Sequence, residues 1–141
     1  MIKLIVETIP SNRDKAAFEG KNVAFYKRAQ ILVEDFWDIL EAGGAPDIGY
    51  LTMFTDYRVP QAIVYQGALR YSSELTKTIK EGVILASGDR QEVEIRGCSI
   101  WCVERIREQL WDVAEQREGF KLEHVNSAVI DVYLWPRCIY Y

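Results

Sequence analysis

Apolar residues recur at steps of three and four along most of this chain, which is the spacing of amphipathic helices. One stripe begins after Val23 and ends before Gly43 and Gly44, which favour the left-handed exit of a helix. Its members are Phe25, Ala29, Leu32, Phe36, Ile39 and Leu40. The longest stripe predicts a helix over residues 91–116, and its members are Val93, Gly97, Ile100, Val103, Ile106 and Leu110.

Start and stop residues delimit three shorter helices. Pro60 fits only a first helical turn, and a serine at position 72 or 73 is a suitable N-cap. Asn126 or Ser127 can open the last helix, and Pro136 stops it. The predicted ranges are 59–70, 73–81 and 126–135.

Strand patterns are nearly absent, so the expected fold class is all-α. Alternating apolar positions occur only at residues 3–7 and, more weakly, at residues 83–85. Residues 1–22 contain turn-forming positions and are interpreted as an irregular lead-in. We expect one domain over residues 1–141, built as a helical bundle.

Composition narrows the class of function. The chain has 141 residues, of which 49% are hydrophobic and 27% charged, with a net charge of −4. These values indicate a folded protein and argue against a direct nucleic-acid partner, while leaving room for one small phosphorylated ligand. No apolar stretch approaches the roughly 20 residues that span a bilayer. Pro10 interrupts the apolar run at the start of the sequence before it is long enough for a signal sequence, so we expect a cytoplasmic protein.

Cysteine and histidine usage gives no reason to expect a metal or other cofactor. Three cysteines provide no disulfide framework in a chain of this size. Cys98 and Cys102 share a helical face and are interpreted as small buried apolar residues. His124 is the only histidine and lies far from that pair in sequence, which argues against zinc.

The first candidate site is the cationic pair Lys27 and Arg28 at the start of the first long helix. Cations there oppose the helix dipole, which favours anions at that end. Two interpretations remain open. The pair is either solvated, with apolar stems lying along the surface, or part of an anion pocket suited to a phosphate.

The second candidate site is Asp56, which lies between the aromatic residues Phe54 and Tyr57 and is followed by Arg58. A carboxylate held beside aromatic rings and a helix start could stabilise a developing cation. The alternative is a simple turn in which Asp56 bonds the local backbone and pairs with Arg58 at the surface.

Other charged positions are interpreted as structural. Glu92 and Glu94 lie near the start of the long helix, where acids favour the dipole. Arg96 lies on a different side of that helix from Glu94, so the two do not form a local pair. Asp131 interrupts an apolar run and needs either a partner or an exposed face, because burying an unpaired carboxylate is costly.

Four ordered segments resemble the queuosine salvage proteins. They are FYKRAQILVEDFW at residues 25–37, LTMFTDYRVPQ at 51–61, EVEIRGCSIWCVE at 92–104 and DVYLWP at 131–136. The resemblance covers most of the chain from residue 11 onward. It implies an all-helical fold similar to the helix-hairpin-helix DNA glycosylases, and N-glycosidase activity that releases queuine from queuosine 5′-phosphate.

The resemblance also implies roles for residues in the first two segments. Asp56 would be the catalytic carboxylate and Lys27 an active-site cation. The implied substrate-binding residues are Tyr57, Arg58, Phe54 and Arg28. Lys27 has three open roles: an amine nucleophile, a partner that holds Asp56, or a phosphate ligand.

Members of the resembled family are about twice as long, and this chain matches their C-terminal half. Its partners are therefore expected to be the small-molecule substrate and either a complementing N-terminal half or a second copy, since faces that the other half covers would be exposed. The alternative function is a non-catalytic helical module or split subunit that binds a partner chain or a queuosine-type ligand.

Overall fold

Six helices and one β-hairpin make up the described part of the chain, which comprises residues 1–40, 47–117, 122 and 125–138 of a computed structural model. The strands are β1 (Lys15–Phe18) and β2 (Lys21–Ala24). The helices are α1 (Ile2–Thr8), α2 (Lys27–Leu40), α3 (Arg58–Tyr65), α4 (Ser73–Lys80), α5 (Arg90–Glu115) and α6 (Ser127–Leu134). Short 3₁₀ turns follow α1 at Pro10–Asn12 and α6 at Trp135–Cys138.

The all-α expectation is wrong because β1 and β2 pair as an antiparallel hairpin, with Phe18 opposite Lys21. Its two-residue turn, Glu19 and Gly20, has positive φ at both positions (47° and 76°), as type I′ turns require. The strands were missed because they are short and because Glu-Gly is a weaker turn signal than Asn-Gly. The helix-hairpin-helix glycosylase fold implied by the resemblance is not shown either.

Residues 1–22 are not the irregular lead-in that turn-forming positions suggested. The apolar residues Ile2, Ile5 and Val6 have helical spacing, and they form α1 where a strand pattern had been read. Ile5 and Val6 are buried against α2. The second weak strand pattern, at residues 83–85, forms no strand in the described structure.

Two predicted N-caps are confirmed. The Ser72 hydroxyl accepts the amide of Leu75 at 3.1 Å to cap α4, and the Asn126 side chain accepts that of Val129 at 2.9 Å to cap α6. Helix α3 begins at Arg58, near the predicted start, but ends at Tyr65, short of residue 70. The predicted stop at residues 43 and 44, and His124, lie outside the described residues.

Two apolar clusters form the core. The first joins α1, α2 and the start of α6; the second joins α3, α5 and α6. A segment without regular secondary structure, residues 51–56, runs between them. Leu51 and Phe54 belong to the first cluster and Met53 to the second, so burial on both sides fixes the path of this segment toward Asp56.

Parts of the predicted apolar stripes remain uncovered. On α2, Ala29 and Val33 are buried, whereas Phe36, Ile39 and Leu40 toward its end are exposed. Cys98 is also exposed and Cys102 half-buried, so the expectation of two buried thiols is wrong for Cys98. Within the described residues, no helix is long and apolar enough to cross a membrane.

Candidate functional site

Lys27 and Asp56 meet although they lie 29 positions apart in sequence. The Lys27 ammonium donates to Oδ2 of Asp56 at 2.5 Å. Their side chains are 30% and 15% exposed, respectively, so the pair is sheltered but reachable from solvent. The other carboxylate oxygen of Asp56 accepts the backbone amide of Arg58 at 3.1 Å, at the start of α3. The structure therefore brings together the two residues expected to be catalytic.

The start of α2 tolerates its lysine because carboxylates surround it. Oδ2 of Asp14 accepts the backbone amide of Lys27 at 3.1 Å and so satisfies one of the free donors at the helix start. Asp56 neutralises the Lys27 ammonium itself. The unfavourable interaction of a cation with the helix dipole is therefore offset within the protein.

Each residue of the pair follows a residue with unusual backbone geometry. Tyr26 precedes Lys27 with φ of 52°, and Thr55 precedes Asp56 with φ of 59°. Positive φ is strained in a β-branched residue such as threonine. Such strain, on the order of 1–3 kcal/mol per residue, persists only where the surroundings impose it, and it concentrates at functional sites.

Side chains from two helices hold the segment that carries Asp56. On α2, the Gln30 carbonyl oxygen accepts the amide of Thr52 at 2.9 Å, while its amide group donates to Phe25 O at 3.0 Å. On α6, Asp131 Oδ2 accepts the amide of Phe54 at 3.1 Å. These contacts satisfy buried backbone donors of a segment that belongs to no sheet.

Arg96 on α5 connects the two halves of the site. Its guanidinium donates to both carboxylate oxygens of Asp14, at 2.9 Å to Oδ1, and to the Thr55 hydroxyl at 3.1 Å. It also pairs with Glu92 at 3.2 Å and lies 3.9 Å from the centre of the Phe25 ring. Arg96 thus supports the strained Thr55 and the carboxylate that caps α2.

The charge of Asp14 depends on this arrangement. Burial alone would raise the pKa of Asp14, but hydrogen bonds from Arg96 and the Lys27 amide, together with the charges of both cations, outweigh burial and lower it. Asp14 is therefore held as an anion at the start of α2.

Asp131 is in the opposite situation. It is only 2% exposed, and burial raises the pKa of Asp131 to about 6. The Phe54 amide opposes that rise, while the nearby charge of Asp56 adds to it. The sequence required either a partner or an exposed face for this residue; the structure gives it a partner on the segment that leads to Asp56.

Replacing Asp131 by asparagine is expected to remove a pH dependence of stability. Because the folded-state pKa, about 6, lies above the ordinary 3.8, protonation of Asp131 stabilises the fold. That stabilisation is complete below pH 3.8 and is lost as the pH rises through 6. Between pH 4 and 7, the free energy of unfolding of the wild type should fall by about 2 kcal/mol relative to Asp131→Asn.

Urea denaturation of both proteins at several pH values measures this difference. A wild-type curve that stays parallel to that of Asp131→Asn from pH 4 to 7 would contradict the assignment.

The four residues implied to bind substrate differ in solvent exposure: Tyr57 and Arg28 are exposed, Arg58 is half-buried and Phe54 is buried. Tyr57 is 70% exposed beside Asp56, and the Arg58 guanidinium lies 4.3 Å from the centre of the Trp135 ring. Arg28 is exposed on α2. Phe54, in contrast, is buried in the first apolar cluster. The local turn that the sequence left open is present, because Asp56 bonds the backbone amide of Arg58, but its ion pair is with Lys27 and not with the Arg58 side chain.

Sequence reasoning missed the residues that support the pair: Asp14, Gln30, Thr55 and Arg96. Arg96 and Asp14 lie 82 positions apart, and local spacing carries no signal of such a contact. One clue was available: Arg96 lies in a helix with many apolar positions, and an arginine that is buried there needs a carboxylate partner. Among the described residues, no group of three or more His, Cys, Asp or Glu side chains could hold a metal ion.

The fold and the site define a helical protein with an amine-paired carboxylate held against a helix start, a type of site that can stabilise developing positive charge. The sequence matches the family described as queuosine salvage protein over residues 1–139. The chain belongs to that family.

Curated relatives occur in animals and bacteria. A Mus musculus protein is 51% identical and a Bos taurus protein 47%, each over 161 aligned positions that cover 100% of this chain and 47% of the relative. A Sphaerobacter thermophilus protein is 41% identical over 126 positions, covering 87% of this chain and 39% of the relative. All three are named queuosine 5′-phosphate N-glycosylase/hydrolase. The chain spans about half the length of the curated relatives it matches.

Proposed function

We propose that this chain carries the catalytic residues of an N-glycosidase that hydrolyses queuosine 5′-phosphate and releases queuine. The observation that carries the proposal is the sheltered contact of 2.5 Å between the Lys27 ammonium and the Asp56 carboxylate. The names of the relatives supply the substrate, and the pair supplies chemistry that suits it.

Hydrolysis breaks the bond between the ribosyl C1′ carbon and a ring nitrogen of the base. The bonding electrons leave with the base, and positive charge builds up on C1′ and the ribosyl ring oxygen. Water then bonds to C1′, and one of its protons is transferred to the departing base. Asp56 would stabilise the cationic state and orient or deprotonate that water.

Lys27 is assigned the role of holding Asp56 in place. An amine that attacks carbon needs a free lone pair, whereas Nζ of Lys27 donates to Oδ2 of Asp56 at 2.5 Å. The pairing with Asp56 therefore favours a positioning role over the nucleophilic role. Queuine is a 7-deazapurine and offers no N7 for protonation, so more of the rate enhancement must come from the sugar side of the bond.

Side chains around Asp56 suit the rest of the substrate. Tyr57 presents an aromatic ring on which a base can stack, and Arg58 presents a guanidinium held against Trp135. Arg28, one residue after Lys27, is exposed and can meet a phosphate. Phe54 would contribute by packing beneath the segment and not by touching substrate.

The test is to incubate queuosine 5′-phosphate with the chain and measure free queuine by liquid chromatography and mass spectrometry. A parallel assay uses a chimera in which this chain replaces the matched region of the mouse relative. We expect queuine release, and no protein–sugar adduct after borohydride treatment, since Lys27 forms no imine. Absence of release in both formats, with the mouse relative active beside them, overturns the proposal.

The second candidate function is a non-catalytic helical module that binds a queuosine-type ligand or a partner chain. The half-length match to the relatives favours it. It predicts that labelled queuosine 5′-phosphate binds without being cleaved, and that binding survives Asp56→Asn. The glycosidase predicts cleavage that this variant abolishes.

A further inference from the structure

An apolar groove lies on the side of α5 away from the candidate site. It has a volume of about 420 Å³ and runs between α5 and the connection from α3 to α4. A smaller cavity of about 150 Å³ shares Leu69 and Cys98 with it, which extends the groove toward α4. The groove is lined by Ala68, Leu69, Gly97, Cys98, Trp101 and Cys102, with Arg105 as its one charged residue.

Helix α5 has apolar residues on two opposite faces. Val93 and Val103 are buried toward the rest of the chain. Trp101 and Cys98 lie on the other face, where Trp101 is 67% exposed. A helix that is apolar on one face packs against one layer, whereas a helix that is apolar on both is covered from both sides. On this second face, the described chain covers α5 only through the connection from α3 to α4, and Trp101 remains exposed.

Gly97 provides a second observation that another element packs on this face of α5. It lies in the interior of a 26-residue helix, where glycine destabilises relative to alanine. A Cβ atom at Gly97 would meet nothing within 4 Å, so no contact within the described part of the chain requires glycine there. Glycine in a helix interior lets another backbone approach closely. Gly97 and Trp101 lie one turn apart on the same face, both in the groove.

The length of the relatives indicates what covers this face. The matched region makes up 47% of the mouse protein, so more than half of that relative lies outside it. We propose that the groove receives a helix from this other half of the family's fold, which crosses α5 at Gly97 and covers Trp101. The occupant is a polypeptide with an apolar face, either joined to this region or supplied by a separate chain.

Alkylation of Cys98 measures whether the groove is covered. The isolated chain and the chimera with the mouse relative are treated with iodoacetamide, and modification of Cys98 is followed by tandem mass spectrometry of its peptide. We expect at least about a tenfold slower reaction in the chimera, because an exposed thiol becomes buried. Equal rates contradict the proposal. Concentration-dependent protection in the isolated chain also contradicts it, since a second copy would then occupy the groove.

The Gly97→Leu variant tests the crossing point, because its effect on the melting temperature should have opposite signs in the isolated chain and in the chimera. In the isolated chain it should raise the melting temperature by a few degrees, because leucine favours helix and a Cβ atom at this position has open space around it. In the chimera it should lower the melting temperature, because the side chain collides with the crossing helix; Gly97→Ala gives the same signs with smaller shifts. Lys77→Leu on α4, at an exposed position, should shift both proteins equally. A rise in both formats for Gly97→Leu overturns the proposal.

Discussion

On the proposed function, replacing Asp56 by asparagine is expected to reduce queuine release from queuosine 5′-phosphate by about 10³-fold or more. Asparagine keeps the size of the side chain and can still accept the amide of Arg58, but it removes the negative charge. The substitution takes away stabilisation that is strongest when the ribosyl group is cationic, so kcat should fall while KM changes little. It also leaves the Lys27 ammonium without its partner, which adds positive charge where the transition state is positive.

Initial rates of queuine formation over a range of substrate concentrations separate these two constants. Asp47→Asn is the matched control, because Asp47 also bonds a backbone amide two residues on, that of Gly49, but lies at an exposed turn. Circular dichroism shows whether each variant is folded. An Asp56→Asn enzyme that is folded and keeps kcat within about threefold of the wild type would remove Asp56 from the chemistry.

Local signals predicted the helices well, since a helix is specified by neighbours in sequence. The N-caps Ser72 and Asn126 and the stripe of α5 required no knowledge of the rest of the chain. The hairpin and α1 were not predictable in the same way. Strands of four residues carry little periodicity, and Ile2, Ile5 and Val6 fit a helix or a strand equally well until α2 packs against them.

The same distinction between local sequence signals and contacts across the fold applies to the candidate site. Lys27 and Asp56 were candidates because each lies in a segment with unusual local chemistry, a cation at a helix start and a carboxylate between aromatics, but their catalytic roles came from the resemblance to the queuosine salvage proteins. Their pairing and the support from Arg96 are contacts across the fold, which the topology creates. The exposed end of the α2 stripe shows a further limit, because a pattern indicates which face is apolar but not what covers it.

The largest stability effect is expected for Arg96→Met, which should lower the free energy of unfolding by about 3–5 kcal/mol. Methionine fills similar space but leaves Asp14 and Glu92 without their cation and the Thr55 hydroxyl without its donor. Arg96→Lys should recover only part of this loss. A lysine ammonium cannot serve both oxygens of Asp14 and the Thr55 hydroxyl in the fixed geometry of a guanidinium.

The pH dependence of this loss distinguishes a charge effect from a packing effect. Arg96 lowers the pKa of the Asp14 carboxyl, so the stabilisation it gives is present above pH 3.8 and disappears as the pH falls through the depressed folded-state pKa. Urea denaturation should therefore show the gap between wild type and Arg96→Met narrowing below pH 3.8. Arg105→Met removes an exposed pair with Glu108 on the same helix and should cost under about 1 kcal/mol. A gap that stays constant at low pH would mean that Arg96 acts by packing on Phe25 alone, and Thr55 would then need another source for its strained geometry.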